Sequence, residues 1–341
     1  MKPEPLVSII IVNWNGGKIL SSCLRSLKKM TYRNWELILV DNGSADGSEK
    51  FANELIKDKK VVLIRNKKNE GFASANNQGV KNSHGKYILL LNNDTEVSRN
   101  FLTILVNKME KNKSIGVLQP KILLLDKKGY LDNTGSFFTW IGFLQHQGYL
   151  EKDNGQYDRE SDVFSVKGAC MLVRAEVVNK IGLFDDDFFS YFEESDFCWR
   201  VWLVEKKVVY FPAAFVYHKV GYTIRRLNVR DINFHYYKNR ICSLIKNLEL
   251  KNLVIVLPLH LVASFIISGA FLLRGNFQNF LMILNSIIWN ISNLDKTLEK
   301  REKIQKYRKL SDNFLFNNLT ANIDWLKYWR DFKRIEADIK G

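Results

Sequence analysis

The chain has 341 residues, 46% hydrophobic and 26% charged, a balance that excludes disorder and is ample for one large domain or two smaller ones. Lys and Arg number 51 against 36 Asp and Glu, and the resulting charge of +15 suits a polyanionic partner: nucleic acid, an anionic membrane surface or a phosphate-bearing substrate. Four scattered cysteines, Cys23, Cys170, Cys198 and Cys242, lack CxxC spacing, which fits a reducing compartment and buried small hydrophobes better than a disulfide scaffold.

The apolar run 6–12 follows a single lysine and leads into Asn13-Trp14-Asn15-Gly16 without a small-residue cleavage site, so it reads as a first strand and not as a signal peptide. Further β-rich runs at 37–40, 61–64 and 87–91 alternate with stretches of helical length at 18–30, 47–57, 72–82 and 99–112. Such alternation predicts an α/β fold with a mainly parallel sheet and helices on both faces. Ligands of such sheets bind beyond the carboxyl ends of the strands, and those ends here carry Asn13-Trp14-Asn15, Asp41-Asn42-Gly43-Ser44 and Asn92-Asn93-Asp94. The stretch Asn69-Glu70-Gly71-Phe72-Ala73 opens a helix whose small residues allow close backbone approach and whose amino terminus favours phosphate.

From 126 to 162 the pattern weakens into Gly, Asp, Asn and aromatic residues, as in a loop-rich, substrate-facing insertion. Order returns at 163–173, followed by a short helix near 175–181. Phe188 to Arg200 then sets Glu193, Glu194 and Asp196 among aromatics. Carboxylates crowded beside apolar rings ionise less readily, so one of the three is a candidate base. Asp196 could instead cap the helix that follows and pair with Arg200 one turn on. A strand at 208–211 is expected to end at Pro212.

Residues 252–294 hold one fully charged residue, Arg274. The first half, 252–273, is long enough to cross a bilayer at about 1.5 Å per residue. The second half sets Phe277, Phe280, Leu281, Leu284, Ile287, Ile288 and Ile291 against Asn276, Asn279, Ser286, Asn290 and Asn293, a helix suited to lying in a membrane interface. Basic residues on both sides of this segment favour a hairpin or in-plane attachment over a single crossing, and a membrane surface over nucleic acid. Burial within the protein or in a homodimer interface is the alternative.

Asn13-Trp14-Asn15-Gly16, Val40-Asp41-Asn42-Gly43-Ser44, Glu70-Gly71-Phe72-Ala73 and Leu90-Leu91-Asn92-Asn93-Asp94-Thr95 follow in the order and spacing of the inverting GT-A glycosyltransferases of family 2. Lys167-Gly168-Ala169-Cys170-Met171-Leu172-Val173-Arg174, Gly182-Leu183-Phe184-Asp185, Tyr191-Phe192-Glu193-Glu194-Ser195-Asp196 and Tyr217-His218 resemble that family's bacterial rhamnosyltransferase-like branch. The resemblance covers roughly residues 6–240. It implies a glycosyltransferase domain over 1–245, with a nucleotide-sugar half (1–125) and an acceptor half (126–245). A hydrophobic then basic, membrane-associating helical tail (246–341) follows.

Position by position, the resemblance makes Asp41 the base-recognising aspartate, with Asn13, Asn42, Asn76 and Asn93 around the nucleotide-sugar. Asp94 matches the last residue of a DxD metal motif that here reads Asn92-Asn93-Asp94, and His218 a later metal ligand; the ion is Mg²⁺ or Mn²⁺, with the histidine tilting preference to Mn²⁺. Glu194 takes the place of the catalytic base, usually an aspartate, and Gly168, Glu193 and Asp196 lie on the acceptor side. The implied reaction moves a sugar from a nucleoside-diphosphate donor to a glycan or lipid-linked glycan acceptor at the cytoplasmic face of the membrane. The sequons Asn42-Gly43-Ser44 and Asn93-Asp94-Thr95 within that site disfavour a glycosylating lumen. A sugar-nucleotide nucleotidyltransferase and an idle assembly scaffold are the competing classes.

Overall fold

Five of the seven residues of Val7–Asn13 are apolar, four of them consecutive at 9–12, too many for a one-faced strand, and the segment is accordingly buried on both sides as an interior strand of the sheet. A computed structural model describes residues 3–57, 60–221 and 229–322. The strands and helices run β1 (Val7–Asn13), α1 (Gly17–Lys28), β2 (Trp35–Asp41), α2 (Phe51–Leu55), β3 (Val61–Arg65), α3 (Phe72–Lys81), β4 (Tyr87–Leu91), β5 (Thr95–Val97), α4 (Phe101–Lys111) and β6 (Ile115–Leu124). Next come β7 (Leu131–Asn133), β8 (Ser136–Phe138), β9 (Leu144–His146), β10 (Ser161–Asp162), β11 (Cys170–Arg174), α5 (Ala175–Ile181), α6 (Glu193–Leu203) and β12 (Lys207–His218). The helices α7 (Val229–Asn247), α8 (Leu250–Leu273), α9 (Phe277–Ser292), α10 (Leu294–Tyr307) and α11 (Asp312–Asn318) follow.

The main path of the sheet is β10-β12-β6-β11-β4-β1-β2-β3. β3, β2, β1 and β4 are parallel neighbours, as the alternating pattern predicts. β11 runs antiparallel to both β4 and β6. Helix α1 shows how the layers close: Leu20, Cys23, Leu24 and Leu27, spaced along one stripe, are its buried apolar residues. The four cysteines are free and buried.

Pro212 does not end a strand. β12 continues to His218, and its pairing with β6 slips between Phe211 and Phe215. Proline has no N–H for the ladder, and an irregularity at that point leaves none required. The continuation carries His218 to the site.

The boundary expected at residue 245 falls inside α7. Beyond it, Val256, Ile304, Leu315 and Leu319 join the same buried cluster as sheet residues Ile88, Leu90 and Met171, so residues 246–322 are packed into the body and do not stand off it. The last part of the expected basic tail, 323–341, lies outside the described residues.

Helices α8 and α9 are inverted relative to an ordinary amphipathic pair. The buried residues of α8 are Val256, His260, Ser264, Ser268 and Phe271, while Ile266 and Leu273 are 68% and 91% exposed. In α9, Asn279, Ser286 and Asn290 are buried alongside Ile283, and Ile291 is 69% exposed. The polar face of α9, which in an interfacial helix would meet water, meets α7: Asn233 Nδ2 donates to Asn279 Oδ1 at 2.9 Å, and Asn290 Nδ2 to the Lys238 carbonyl at 3.0 Å.

A buried ionic cluster ties α7 and α10 to the loop before α6. Lys246 lies 2.5 Å from Asp185 and 3.2 Å from Asp196, and Lys300 lies 2.5 Å from both Asp185 and Asp187. Removing one partner of a buried pair strands the other, at a cost of about 3–5 kcal/mol. Lys246→Ala should lower unfolding stability by that order in chemical denaturation, and a loss below 1 kcal/mol would show the cluster to be dispensable.

Candidate functional site

Three strand ends meet where the sequence places its polar clusters. Asn13 and Asp41 are register partners across β1 and β2, and Asn13 Nδ2 donates to Asp41 Oδ1 at 3.1 Å and to Ser48 Oγ at 2.9 Å. Asn13 Oδ1 accepts from Asn93 Nδ2 at 2.9 Å. Gly16 makes this pairing possible: a Cβ there would lie 2.2 Å from Asn13 Oδ1 and 2.8 Å from Asn93 Nδ2. Asn42 orders the neighbouring loop, donating to Asn69 Oδ1 and accepting from the Glu70 amide. Asn76 is buried and donates to the Phe72 carbonyl one turn back, so what it orders in this structure is the start of α3.

The amino terminus of α3 is not open to phosphate. The Phe72 and Ala73 amides both donate to the Phe189 carbonyl, at 2.6 and 3.3 Å. Gly71 has φ +87°, and a Cβ there would lie 2.5 Å from that same carbonyl. The close backbone approach is real, but its partner is the loop that carries the acidic motif.

β12 pairs His218 with Thr95 of β5, which sets the imidazole beside Asp94. Asp94 Oδ1 is buried and accepts no hydrogen bond of good geometry; His218 Nε2 lies 3.2 Å from it. A buried carboxylate oxygen and an imidazole nitrogen converging on one point fit a divalent cation, and the mixed N and O donors suit Mn²⁺. Among the described residues no group of three or more His, Cys, Asp or Glu could hold an ion. The remaining coordination would fall to substrate oxygens and water.

The other imidazole nitrogen, Nδ1, lies 2.8 Å from Asp132 Oδ2, and Lys167 Nζ lies 2.5 Å from Asp132 Oδ1. Burial pushes the His218 pKa down, but Asp94 and Asp132 outweigh it and raise it to about 9. Burial likewise opposes ionisation of Asp132, yet Lys167 and His218 hold its pKa down at about 2. Asp132 lies in the aperiodic insertion, where sequence pattern gives an isolated acid no distinction. Lys167 stood inside a recognised motif with no role assigned.

The acidic motif starts α6 from a strained turn. Tyr191 and Phe192 have φ of +70° and +72°, a left-handed conformation costing about 1–3 kcal/mol for each non-glycine residue. Glu194 is half-buried at the helix start, and the open side of Gly168 faces it: a Cβ at Gly168 would lie 3.8 Å from Glu194 Cδ. Burial raises the Glu194 pKa, while backbone amides, that of Gly168 included, and the Lys167 charge pull against the rise. Its Oε2 has no hydrogen-bond partner.

Glu193 is buried, and burial followed by the Glu194 charge raises its pKa well above the ordinary value. Asp196 is not on the acceptor side. It is 0% exposed and wholly engaged, with Arg200 Nε at 2.9 Å, Ser243 Oγ at 2.6 Å, Asn247 Nδ2 at 2.9 Å and Lys246 Nζ at 3.2 Å. Its reading as the partner of Arg200 is the one the geometry bears out. Of the three acids, Glu194 is the one that is not fully buried.

The profile described as Glycosyl transferase family 2 matches residues 8–182, just over half of the chain. Glycosyltransferase GlyG of Streptococcus pneumoniae is 24% identical over 60% of this chain and 67% of its own. An uncharacterized glycosyltransferase of Rickettsia prowazekii, RP339, is 31% identical over 54% of each. The chain thus spans between about half and two thirds of these two relatives. Among solved structures, residues 1–349 of S. aureus TarS in complex with UDP-GlcNAc superpose with a TM-score of 0.59 at 15% identity, over 82% of this chain and 79% of that one. The mannosyltransferase PcManGT of Pyrobaculum calidifontis, in complex with GDP-Man and Mn²⁺, gives 0.53 at 14% identity over 85% and 76%. The shared architecture is the GT-A fold.

If Asp132 orients His218 toward an ion, Asp132→Asn should weaken Mn²⁺ binding by about 10–100-fold, as loss of a carboxylate behind a ligating histidine does. Calorimetric titration with Mn²⁺ in the presence of UDP, GDP or dTDP measures this; an unchanged affinity would remove Asp132 from that role.

Proposed function

Since the chain belongs to glycosyltransferase family 2, we propose that it moves a hexose or deoxyhexose from a nucleoside-diphosphate sugar to a hydroxyl of a lipid-linked glycan, inverting the anomeric centre. The observation that carries this reading is Glu194: half-buried, raised in pKa, with one carboxylate oxygen free of any donor beside Gly168. Such a group can take the proton of an acceptor hydroxyl as its oxygen attacks the anomeric carbon. The bond from that carbon to the diphosphate oxygen breaks in the same displacement, so no covalent nucleophile is required. A divalent ion held by Asp94 and His218 would offset the charge gathering on the diphosphate. Asp41, Asn13 and Asn93 form the polar floor on which the nucleotide would rest, and Lys167 supplies a cation between the metal side and the base.

The likeness of residues 167–174 and 191–196 to a rhamnosyltransferase-like branch puts rhamnose first among the donor sugars to test. With Mn²⁺ and a panel of dTDP-, UDP- and GDP-sugars, nucleoside diphosphate should be released when acceptor is added. Glu194→Gln should cut turnover by about 10²–10⁴-fold while leaving nucleotide affinity within a few-fold. Because the base must be ionised and its pKa is raised, wild-type turnover should fall toward acid with a midpoint above the ~4.3 of an ordinary glutamate. Loss of nucleotide binding together with turnover in Glu194→Gln would overturn its assignment.

The cytoplasmic face of a membrane is the proposed location, and support comes from the inverted α8–α9 pair. Exposed Leu250, Val254, Ile255, Val262, Phe265, Ile266, Ile288 and Ile291 form an apolar surface backed by buried His260, Ser264, Ser268, Ser286 and Asn290. α8 is long and apolar enough to cross a bilayer. Its protein-facing side, however, runs from Val256 to Phe271, and His260 Nδ1 lies 2.9 Å from the Ile141 carbonyl near its middle. A crossing would draw that loop into the hydrocarbon, so attachment along the surface is the better fit. The full-length chain should float with anionic lipid vesicles, and Val262→Glu with Ile266→Glu should release it; a detergent-free, vesicle-indifferent dimer would assign the surface to a second copy instead.

A further inference from the structure

We propose that Asn239, midway along α7, positions the catalytic base by clamping the left-handed turn from which α6 starts; the proposal rests on Glu194 being that base. Asn239 is fully buried, and its Nδ2 gives both hydrogens to carbonyls of that turn, Ser190 at 2.9 Å and Tyr191 at 2.6 Å. Its Oδ1 has no partner. A buried amide oxygen without a donor is costly, and a fully buried helix position is ordinarily served better by an apolar residue. The sequence keeps asparagine where the two donors are used.

The turn needs such a hold. Tyr191 and Phe192 both have positive φ, and neither is a glycine that would rest there without strain. A return of either residue to ordinary backbone angles would reorient the first turn of α6, which contains Glu193 and Glu194. The α3 amides fix the Phe189 carbonyl and Lys238 Nζ fixes that of Asp187, so the preceding residues are held from two sides. Asn239 alone among these contacts reaches the strained pair itself. It touches no reacting atom: it acts through the backbone that carries Glu194.

The test compares the full-length chain with Asn239→Ala, with Asn239→Asp, which keeps the shape and sets an acceptor against the two carbonyls, and with Leu244→Ala. Leu244 is equally buried on α7. Hydrogen exchange of amides 189–195, steady-state kinetics and Mn²⁺-dependent binding of UDP, GDP and dTDP are measured for each. Both Asn239 variants should lose protection in 189–195 and about a hundredfold in kcat, with donor KM and nucleotide affinity within threefold. Leu244→Ala should lower the melting temperature and leave kcat and that exchange unchanged. Wild-type kcat in Asn239→Ala, or an equal kcat loss in Leu244→Ala, would overturn the proposal. Should the wild type transfer no sugar from any donor, the reaction assigned above fails by itself; the exchange measurement still decides the clamp, which falls if 189–195 stays protected in Asn239→Ala.

Discussion

The site depends on one reversal of direction in the sheet. β11 enters antiparallel between β4 and β6, so its first residue, Cys170, pairs with the last of β4, Leu91. The Asn92 amide donates to the Ala169 carbonyl at 2.9 Å and seals the two ends together. Had β11 run parallel to its neighbours, Lys167 and Gly168 would lie at the opposite edge from Asp94. Because it runs backward, the segment ahead of it arrives at the carboxyl edge of the parallel strands. Lys167 then reaches Asp132 on one side, and Gly168 lies beside Glu194 on the other.

The acidic motif is built on the opposite principle, with many small attachments substituting for a single strong one. No strand presents Glu194. It comes from a helix that starts after two left-handed residues, and the loop before that helix is pinned by α3 and α7. The ionic cluster of Asp185, Asp187, Asp196, Lys246 and Lys300 adds charge pairs in a region where lone charges would be costly. The three acids of this one sequence element are therefore divided by their surroundings: Glu194 half-buried beside Gly168, Glu193 buried with its pKa raised, Asp196 paired within the core.

The parallel half of the fold was legible because its signals are local. Uninterrupted apolar runs bounded by Asn, Asp and Gly mark β1, β2 and β4 and the loops that end them, and the side chains of Asn13, Asp41 and Asn93 do meet. What was not legible depends on tertiary pairing. Pro212 marks a strand end in one dimension and an irregularity in three, because only the pairing with β6 shows that no N–H is needed there. The close approach at Gly71 was visible, but its partner, a carbonyl more than a hundred residues on, was not. Asp132 and Asn239 give no periodic or compositional signal; their roles exist only through what folds against them.

The inverted helices α8 and α9 reverse the usual rules of substitution. Over this stretch Ile255, Ile266, Leu273, Ile288 and Ile291 are outer residues while His260, Ser264, Ser268, Asn279, Ser286 and Asn290 are inner ones, so hydrophobicity no longer tracks depth. Replacing Ser264 or Ser286 by an aliphatic residue, harmless by ordinary conservative scales, would wedge bulk against a packed interior. Exchanges among Ile, Leu and Val at 255, 262 or 266 would pass nearly unnoticed. Variation at these positions is therefore tolerant where the chain is greasiest and strict where it is polar, and a scale calibrated on water-facing helices would rank them backward.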